Sequence, residues 1–296
     1  MAIEVVALTK YYGSHLGVED VSLSVTHGEI LGFLGPNGSG KTTVLRTIVG
    51  LLHPTEGRVR VGGAPTTSDP RRWRRSIGYL PGELELPSNM TVRSFLSYLS
   101  RLRRTNCNDD ITRLAQRLQL DLTARMSGLS KGNRQKVGVV QALMHHPKII
   151  VLDEPTSGLD PIAQEEFAQI LDERRRDGAA IVLSTHVLHE VEAVADRVVI
   201  LDRGRVLDVD TVARLRERIA TEIRLTFPRD VDIDRYRNCS GVTDVQVEKS
   251  DVIVRAVVPH TQVLQLAVDD GVTKIVSHEA TLSDVFIALT RSNHDP

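Results

Sequence analysis

A chain of 296 residues with 41% hydrophobic and 25% charged residues has the composition of a globular protein able to bury a sizeable core, in two domains or in one with an appendage. With a net charge of −1, bulk electrostatics argue neither for nor against nucleic acid as a partner. Cys107 and Cys239 lie too far apart for metal-ligand spacing, and no apolar run approaches the roughly 18 residues of a membrane span.

In chain order, Ile3 to Val25 reads as strand, turn, strand: Val5-Val6-Ala-Leu8 leads into Tyr11-Tyr-Gly13, and Val18 to Val25 alternates with polar residues. Glu29 to Leu34 reads as a buried strand, Thr43 to Gly50 as a helix ending at a glycine, and Gly57 to Val61 as another strand. The arginine run Arg71-Arg-Trp-Arg-Arg75 is too short for a nucleic-acid or membrane surface and is expected to be a solvated edge. Between Met90 and His145 the texture becomes helical, with three-to-four apolar spacing over Val92–Leu102, Ile111–Leu120 and Arg134–Met144. Strand signals at Ile149–Leu152, Ala180–Leu183 and Val198–Leu201 alternate with helical patterns at Ile162–Arg175 and Leu188–Ala195, which predicts a parallel α/β sheet. After a polar helix, Val212–Arg218, strands are expected at Ile223–Phe227, Val245–Val247 and Val252–Val258, with helices at Val263–Val268 and Leu282–Thr290. The chain is thus expected to divide into an α/β domain over 1–220, with a helical insertion at about 85–147, and an α+β domain over 221–296.

Two motifs carry the chemistry. Gly35-Pro-Asn-Gly-Ser-Gly-Lys-Thr42 satisfies the phosphate-binding pattern G-x-x-x-x-G-K-[ST] in a strand–loop–helix frame. Its glycines let amide N–H groups converge on an anion, and the following helix aims its positive dipole end the same way. Lys41 suits the β- and γ-phosphates, and the Thr42 hydroxyl suits Mg²⁺. The second motif, Lys148-Ile-Ile-Val-Leu-Asp-Glu154, ends an apolar strand on two carboxylates. Asp153 is expected to hold Mg²⁺ through water, and Glu154 to polarise the attacking water as general base.

With these in place, residues 1–215 resemble the ATP-binding-cassette (ABC) family. Leu129-Ser-Lys-Gly-Asn133 is similar to that family's signature, usually L-S-G-G-Q, with Lys131 for the first glycine and Asn133 for the glutamine. Ser130 is placed to cap a helix, and Gly132 to let bare amides approach an anion. Ser157-Gly-Leu-Asp160 resembles the D-loop that crosses the family's dimer interface, and the histidine of Ser184-Thr-His186 resembles the switch residue at the γ-phosphate. Tyr12 resembles the aromatic that stacks on adenine, with Tyr11 competing for that role and a place in the strand core also open to it; His145, His146 and His189 read as surface or packing residues. The family's glutamine after an aromatic–apolar–Pro strand is missing: in Ile77-Gly-Tyr-Leu-Pro-Gly82-Glu83 its position falls on Gly82, leaving Glu83 as a candidate to reach the metal through water or a loop that makes no metal contact.

The resemblance implies a P-loop NTPase core with an antiparallel β subdomain and an inserted helical subdomain. It also implies an ATPase subunit of an exporter of drugs, antibiotics or lipids, cytoplasmic and peripheral on the inner face of the cell membrane. ATP and Mg²⁺ are the implied ligands, and Glu154, His186 and Lys41 the implied catalytic residues. The ATP site would comprise Tyr12, Gly35, Pro36, Asn37, Gly38, Ser39, Gly40, Lys41, Thr42, Thr43, Leu129, Ser130, Lys131, Gly132, Asn133 and Asp160, with Thr42, Asp153 and Glu83 at the metal. The implied partners are a separate transmembrane permease and a second copy of the chain or a similar subunit, without nucleic acid. A non-transport ABC ATPase or a regulatory ATP-binding module is the alternative. The tail Thr281-Leu-Ser-Asp-Val-Phe286 adds to the likeness to bacterial export ATPases.

Overall fold

The computed structural model describes residues 1–67, 73–217, 220–248, 251–257, 260–278, 281 and 284–286. It separates into two compact units, Met1–Val209 and Asp210–Pro296.

In the first unit, β1 (Ile3–Tyr12) and β2 (His15–Val25) form an antiparallel pair, joined by β4 (Glu56–Val61) and the short β5 (Ala64–Pro65) in the order β2-β1-β4-β5. A second sheet has six strands. β3 (Ile30–Leu34), β6 (Ile77–Leu80), β7 (Ile149–Asp153), β8 (Ala180–Thr185), β9 (Arg197–Asp202) and β10 (Arg205–Thr211) lie in the order β10-β9-β3-β8-β7-β6. β3, β7 and β8 are buried at every residue. Parallel strands covered on both faces read as continuous apolar runs, which is why the sequence announced them. Val44, Leu45 and Ile48 of α1 (Lys41–Ile48) pack with Val5, Leu8 and Val59 of the first sheet and Phe33, Val151 and Val182 of the second, in one core.

The helical insertion holds α2 (Val92–Arg103), α3 (Asn108–Arg117) and α4 (Lys131–Leu143). Thr91 caps α2, its Oγ1 accepting from Ser94 N at 3.2 Å. α3 and α4 each start three residues before the periodicity indicated, because the first turns Asn108-Asp-Asp110 and Lys131-Gly-Asn133 contain no apolar residue to mark them. Arg117 ties α3 to Glu166 and, at 2.6 Å, to Glu173 of α5 (Pro161–Arg176), so one guanidinium links α3 to the α/β part. The unit is completed by α6 (Leu188–Val194).

The arginine run is not a solvated edge throughout. Arg71 and Arg72 lie outside the described residues, but Trp73 is only 3% exposed and belongs to the core, and Arg74 donates to the Gly50 carbonyl at 2.6 Å. A tryptophan carries more apolar area than its basic neighbours can hold in water. His145 is a packing residue: its Nε2–H donates to Ile77 O at 3.1 Å, and burial, aided by Arg103, pushes its pKa down to about 4. His146 lies 2.7 Å from Asp110, and His189 is exposed in the first turn of α6.

The second unit contains α7 (Val212–Glu217), β11 (Thr221–Thr226), α8 (Ile233–Arg237), β12 (Val242–Glu248), β13 (Asp251–Ala256), α9 (Thr261–Asp269) and β14 (Lys274–His278). The sheet order β12-β13-β11-β14, all antiparallel, with a helix after the first and third strands, is the split β-α-β arrangement of ferredoxin-like domains. Ile223, Leu225, Tyr236, Val254, Val263 and Ala267 form its core, with the Phe227 and Tyr236 rings edge to face at 6.0 Å. The opposite face carries a ladder of ion pairs, Arg224 with Glu248 and Asp251, and Arg255 with Glu222 and Asp244. α8 and β14 carried no clear pattern in the sequence, being five residues each and largely polar. Of the helix expected at Leu282–Thr290, Asp284 to Phe286 are helical and the rest lie outside the described residues, as do Leu282 and Ser283 of the tail likeness.

Candidate functional site

β3 delivers the chain into the loop Gly35 to Gly40 and α1 takes it out, starting at Lys41. Gly40 is the N-cap of α1 with φ 105°, a left-handed conformation that glycine alone adopts without strain, and it offers no side chain to the helix amides. Those amides therefore remain available to an anion. Lys41 is 6% exposed, and its Nζ donates to Gly35 O at 2.6 Å and Pro36 O at 3.1 Å. Burial lowers its pKa, and the carboxylates of Glu154 and Asp153 oppose that. Ser39 is 2% exposed, with its hydroxyl unpartnered among the described residues. A ring of donors around a buried cation is what a polyphosphate requires.

The carboxylates arrive on β7. Asp153 is 1% exposed and accepts from the Ser184 hydroxyl at 2.5 Å. Glu154 has φ 50°, unusual for a residue with a side chain, and its N–H is held by Ser184 O at 3.1 Å and Ser184 Oγ at 3.2 Å. That turn aims the carboxylate across the loop: Oε1 lies 3.8 Å from Lys41 Nζ, and Oε2 lies 2.8 Å from His186 Nδ1. Lys41, Asp153, Glu154 and His186 thus converge, with Ser184 on β8 and His186 directly after its last residue.

Tyr12 reaches the same place from β1. Its hydroxyl is 3.2 Å from Thr43 Oγ1, and its ring is exposed to 44%. Tyr11 holds the Thr55 hydroxyl through its backbone N–H at 3.0 Å. Pro81-Gly82 passes over the buried aspartate, close enough that a Cβ on Gly82 would lie 3.3 Å from Asp153 Oδ2. Glu83 is exposed on that turn. Thr42 and Asp153 offer a hydroxyl and a carboxylate oxygen, a hard donor set of the kind that holds Mg²⁺ together with phosphates and water.

The motif 129–133 is built as expected at its helix start: Ser130 caps α4, its Oγ accepting from Asn133 N at 3.2 Å. Leu129 is buried, Lys131 is exposed, and Gly132 and Asn133 are half-buried. Gly132 sits so close to Gly158 that a Cβ would meet its carbonyl at 2.4 Å. Lys136 Nζ lies 3.1 Å from Asp160 Oδ2, and Asp160 Oδ1 caps α5 through Ala163 N at 2.9 Å. That backbone bond, then Lys136, holds the Asp160 carboxyl below its usual range.

Two residues in this architecture were passed over in the sequence. Ser184 was read only as part of the switch segment, and its proximity to Asp153 follows from the β7–β8 register Asp153↔Ser184. Gln135 is 6% exposed and donates through Nε2 to Glu154 O at 3.0 Å and Pro155 O at 2.9 Å. Its signal was an amide on the buried face of α4, among Val137, Val139 and Val140.

Comparison with known proteins meets this geometry. The family described as "ABC transporter" matches residues 18–157. Nod factor export ATP-binding protein I of Rhizobium meliloti is 32% identical over 296 residues, covering 98% of this chain and 88% of that protein. The bacitracin transport ATP-binding protein BcrA of Bacillus licheniformis is 30% identical over 301 residues, covering 97% of this chain and 96% of that protein. Among solved structures, a dimeric bacterial ABC transporter cassette is 26% identical with a TM-score of 0.64, covering 71% of this chain and 98% of that one. The same cassette is also solved in a post-hydrolysis state bound to ADP and Pi.

Proposed function

The chain belongs to the ABC transporter family as an ATP-hydrolysing, ATP-binding subunit, and from that premise we propose that it powers export through a separate membrane-spanning chain. Among the described residues no helix is long and apolar enough to cross a membrane, which supports assigning the spans to another subunit. On this reading the chain works at the cytoplasmic face of the membrane. The two relatives named for bacitracin transport and Nod factor export match nearly the whole chain, tail included, which supports an exporter of drugs, antibiotics or lipids.

The observation that carries the mechanism is one carboxylate, Glu154, set between Lys41 and His186. Lys41 and the amides of Gly35 to Gly40 grip the β- and γ-phosphates, with Pro36, Asn37, Ser39 and Thr43 shaping the loop and Tyr12 stacking on the base. Glu154 takes a proton from the attacking water, and His186 orients that carboxylate while facing the γ-phosphate. Thr42 and Asp153 would hold Mg²⁺, which when bound neutralises charge developing on the phosphates. Glu83, exposed on the turn over Asp153, would reach the metal through water in place of the side chain that Gly82 lacks.

Leu129 to Asn133, with Asp160 beside them, then face the nucleotide of a second cassette, and ATP joins the two because α4 presents its N-terminus to phosphate bound by the other. Hydrolysis removes the bridge and the pair opens. The dimeric neighbour supports a pair of identical chains. Co-expression with a candidate polytopic membrane protein, followed by purification of a complex with drug-, antibiotic- or lipid-stimulated ATPase activity, tests the reading. A complex whose ATPase activity no drug, antibiotic or lipid stimulates, or stimulation by nucleic acid, overturns it.

A further inference from the structure

We infer that Gln135 is a positioning residue that fastens the helix bearing the signature motif to the catalytic glutamate of its own chain. Glu154 sits in a left-handed conformation, φ 50°, which is strained for a residue with a side chain and persists only where its surroundings over-determine it. Those surroundings act from two sides. Ser184 holds the Glu154 N–H, and the Gln135 amide holds the carbonyls of Glu154 and Pro155 at 3.0 and 2.9 Å. Both hydrogens of the Gln135 NH₂ are used, and the residue is 6% exposed, so water does not compete for those carbonyls.

The other end of this connection is the start of α4. Ser130 caps the helix, Gly132 lies against the Gly158 carbonyl, and Lys136 pairs with Asp160. Gly132, Gln135 and Lys136 fall within little more than one turn, so the helix start touches the segment 154–160 at three consecutive places. A helix moves as a rigid piece over this length. A displacement of α4 when the opposite nucleotide docks on Ser130 and Asn133 therefore reaches the Glu154 carbonyl through Gln135. Glu154 then swings into or out of register with His186, now 2.8 Å away. Each active site is thereby sensitive to occupancy of the facing one. This deepens the paired-cassette reading and rests on it.

The test compares wild type with Gln135→Met, which keeps the length and removes the donors, and with Gln135→Glu, which turns acceptor oxygens toward the two carbonyls. Both variants should lower kcat for ATP by about 10–100-fold, the scale of a small misplacement of a catalytic group, while KM and the Kd for ATP stay within about two-fold. In a Glu154→Gln background the Gln135→Met change should lower residual turnover no further and leave ATP-driven dimerisation intact. A rise in Kd alongside the fall in kcat, or a further loss in the double variant, overturns the inference in favour of a purely structural role. So does wild-type kcat in Gln135→Met. If a single variant fails to fold, the other and the double variant still decide. Absence of ATP turnover in the wild type would instead strike the proposed function itself.

Discussion

Nδ1 of His186 lies 2.8 Å from Oε2 of Glu154, while the other oxygen of that carboxylate is 3.8 Å from Nζ of Lys41. The carboxylate proposed as general base is thus flanked by the Lys41 ammonium and the His186 imidazole. Glu154→Gln keeps the shape and removes the proton acceptor, so turnover should fall by about 10²–10⁴-fold. Binding is untouched, so the variant should accumulate as an ATP-bound dimer on size-exclusion chromatography. A monomer at saturating ATP speaks against the sandwich.

Lys41→Ala removes the one buried cation of the loop. Calorimetry should show ATP affinity lost, and the thermal midpoint that rises with Mg·ATP in the wild type should stay flat, because a ligand stabilises only the state it binds.

Glu83→Ala tests the metal reading. The Mg²⁺ concentration giving half-maximal turnover should rise several-fold with ATP affinity little changed. An identical Mg²⁺ titration would remove Glu83 from the site and leave Thr42 and Asp153 as the protein's donors.

His145 sets a pH dependence. Its folded pKa of about 4 lies below the unfolded value of 6.5, so the unfolded chain binds more protons between them. The stability from burying it neutral is full above about 6.5 and is lost as pH falls towards 4, amounting to at most about 3 kcal/mol. His145→Gln, which can still donate to Ile77 O, should flatten the decline of urea-unfolding stability in that window.

Gly50 and Trp73 form a matched pair. A Cβ on Gly50 would lie 2.4 Å from the indole Cη2, and Gly50 has φ 67°. Gly50→Ala should therefore destabilise by about 1–2 kcal/mol through its backbone alone, with overpacking in addition. Trp73→Ala should cost about 3–5 kcal/mol. In the double variant the clash disappears, so the two losses should add to less than their sum by denaturant unfolding.

Elements and site were legible to different degrees, for physical reasons. Ile149–Leu152 and Ala180–Leu183 were readable because strands buried on both faces are unbroken apolar runs. The phosphate loop and the Asp153-Glu154 step were readable because their chemistry lies in contiguous residues. What escaped depends on contacts between distant segments. Gln135 meets Glu154 and Pro155 only after α4 docks, Trp73 meets Gly50 only in the folded core, and Gly82 meets Asp153 only when β6 and β7 lie side by side. α8 and β14 escaped because five largely polar residues hold too few apolar positions to show a period.

The order β12-β13-β11-β14 places β11, with Ile223 and Leu225, between two neighbours, one of them the last strand of the sheet. A polypeptide cut before Lys274 would leave the amides and carbonyls along one side of β11 without mates. A bare strand rim next to an apolar core is a template for self-association. β14 therefore shields the sheet against clumping, and trimming the C-terminus for convenience threatens solubility before it touches a single group that handles phosphate.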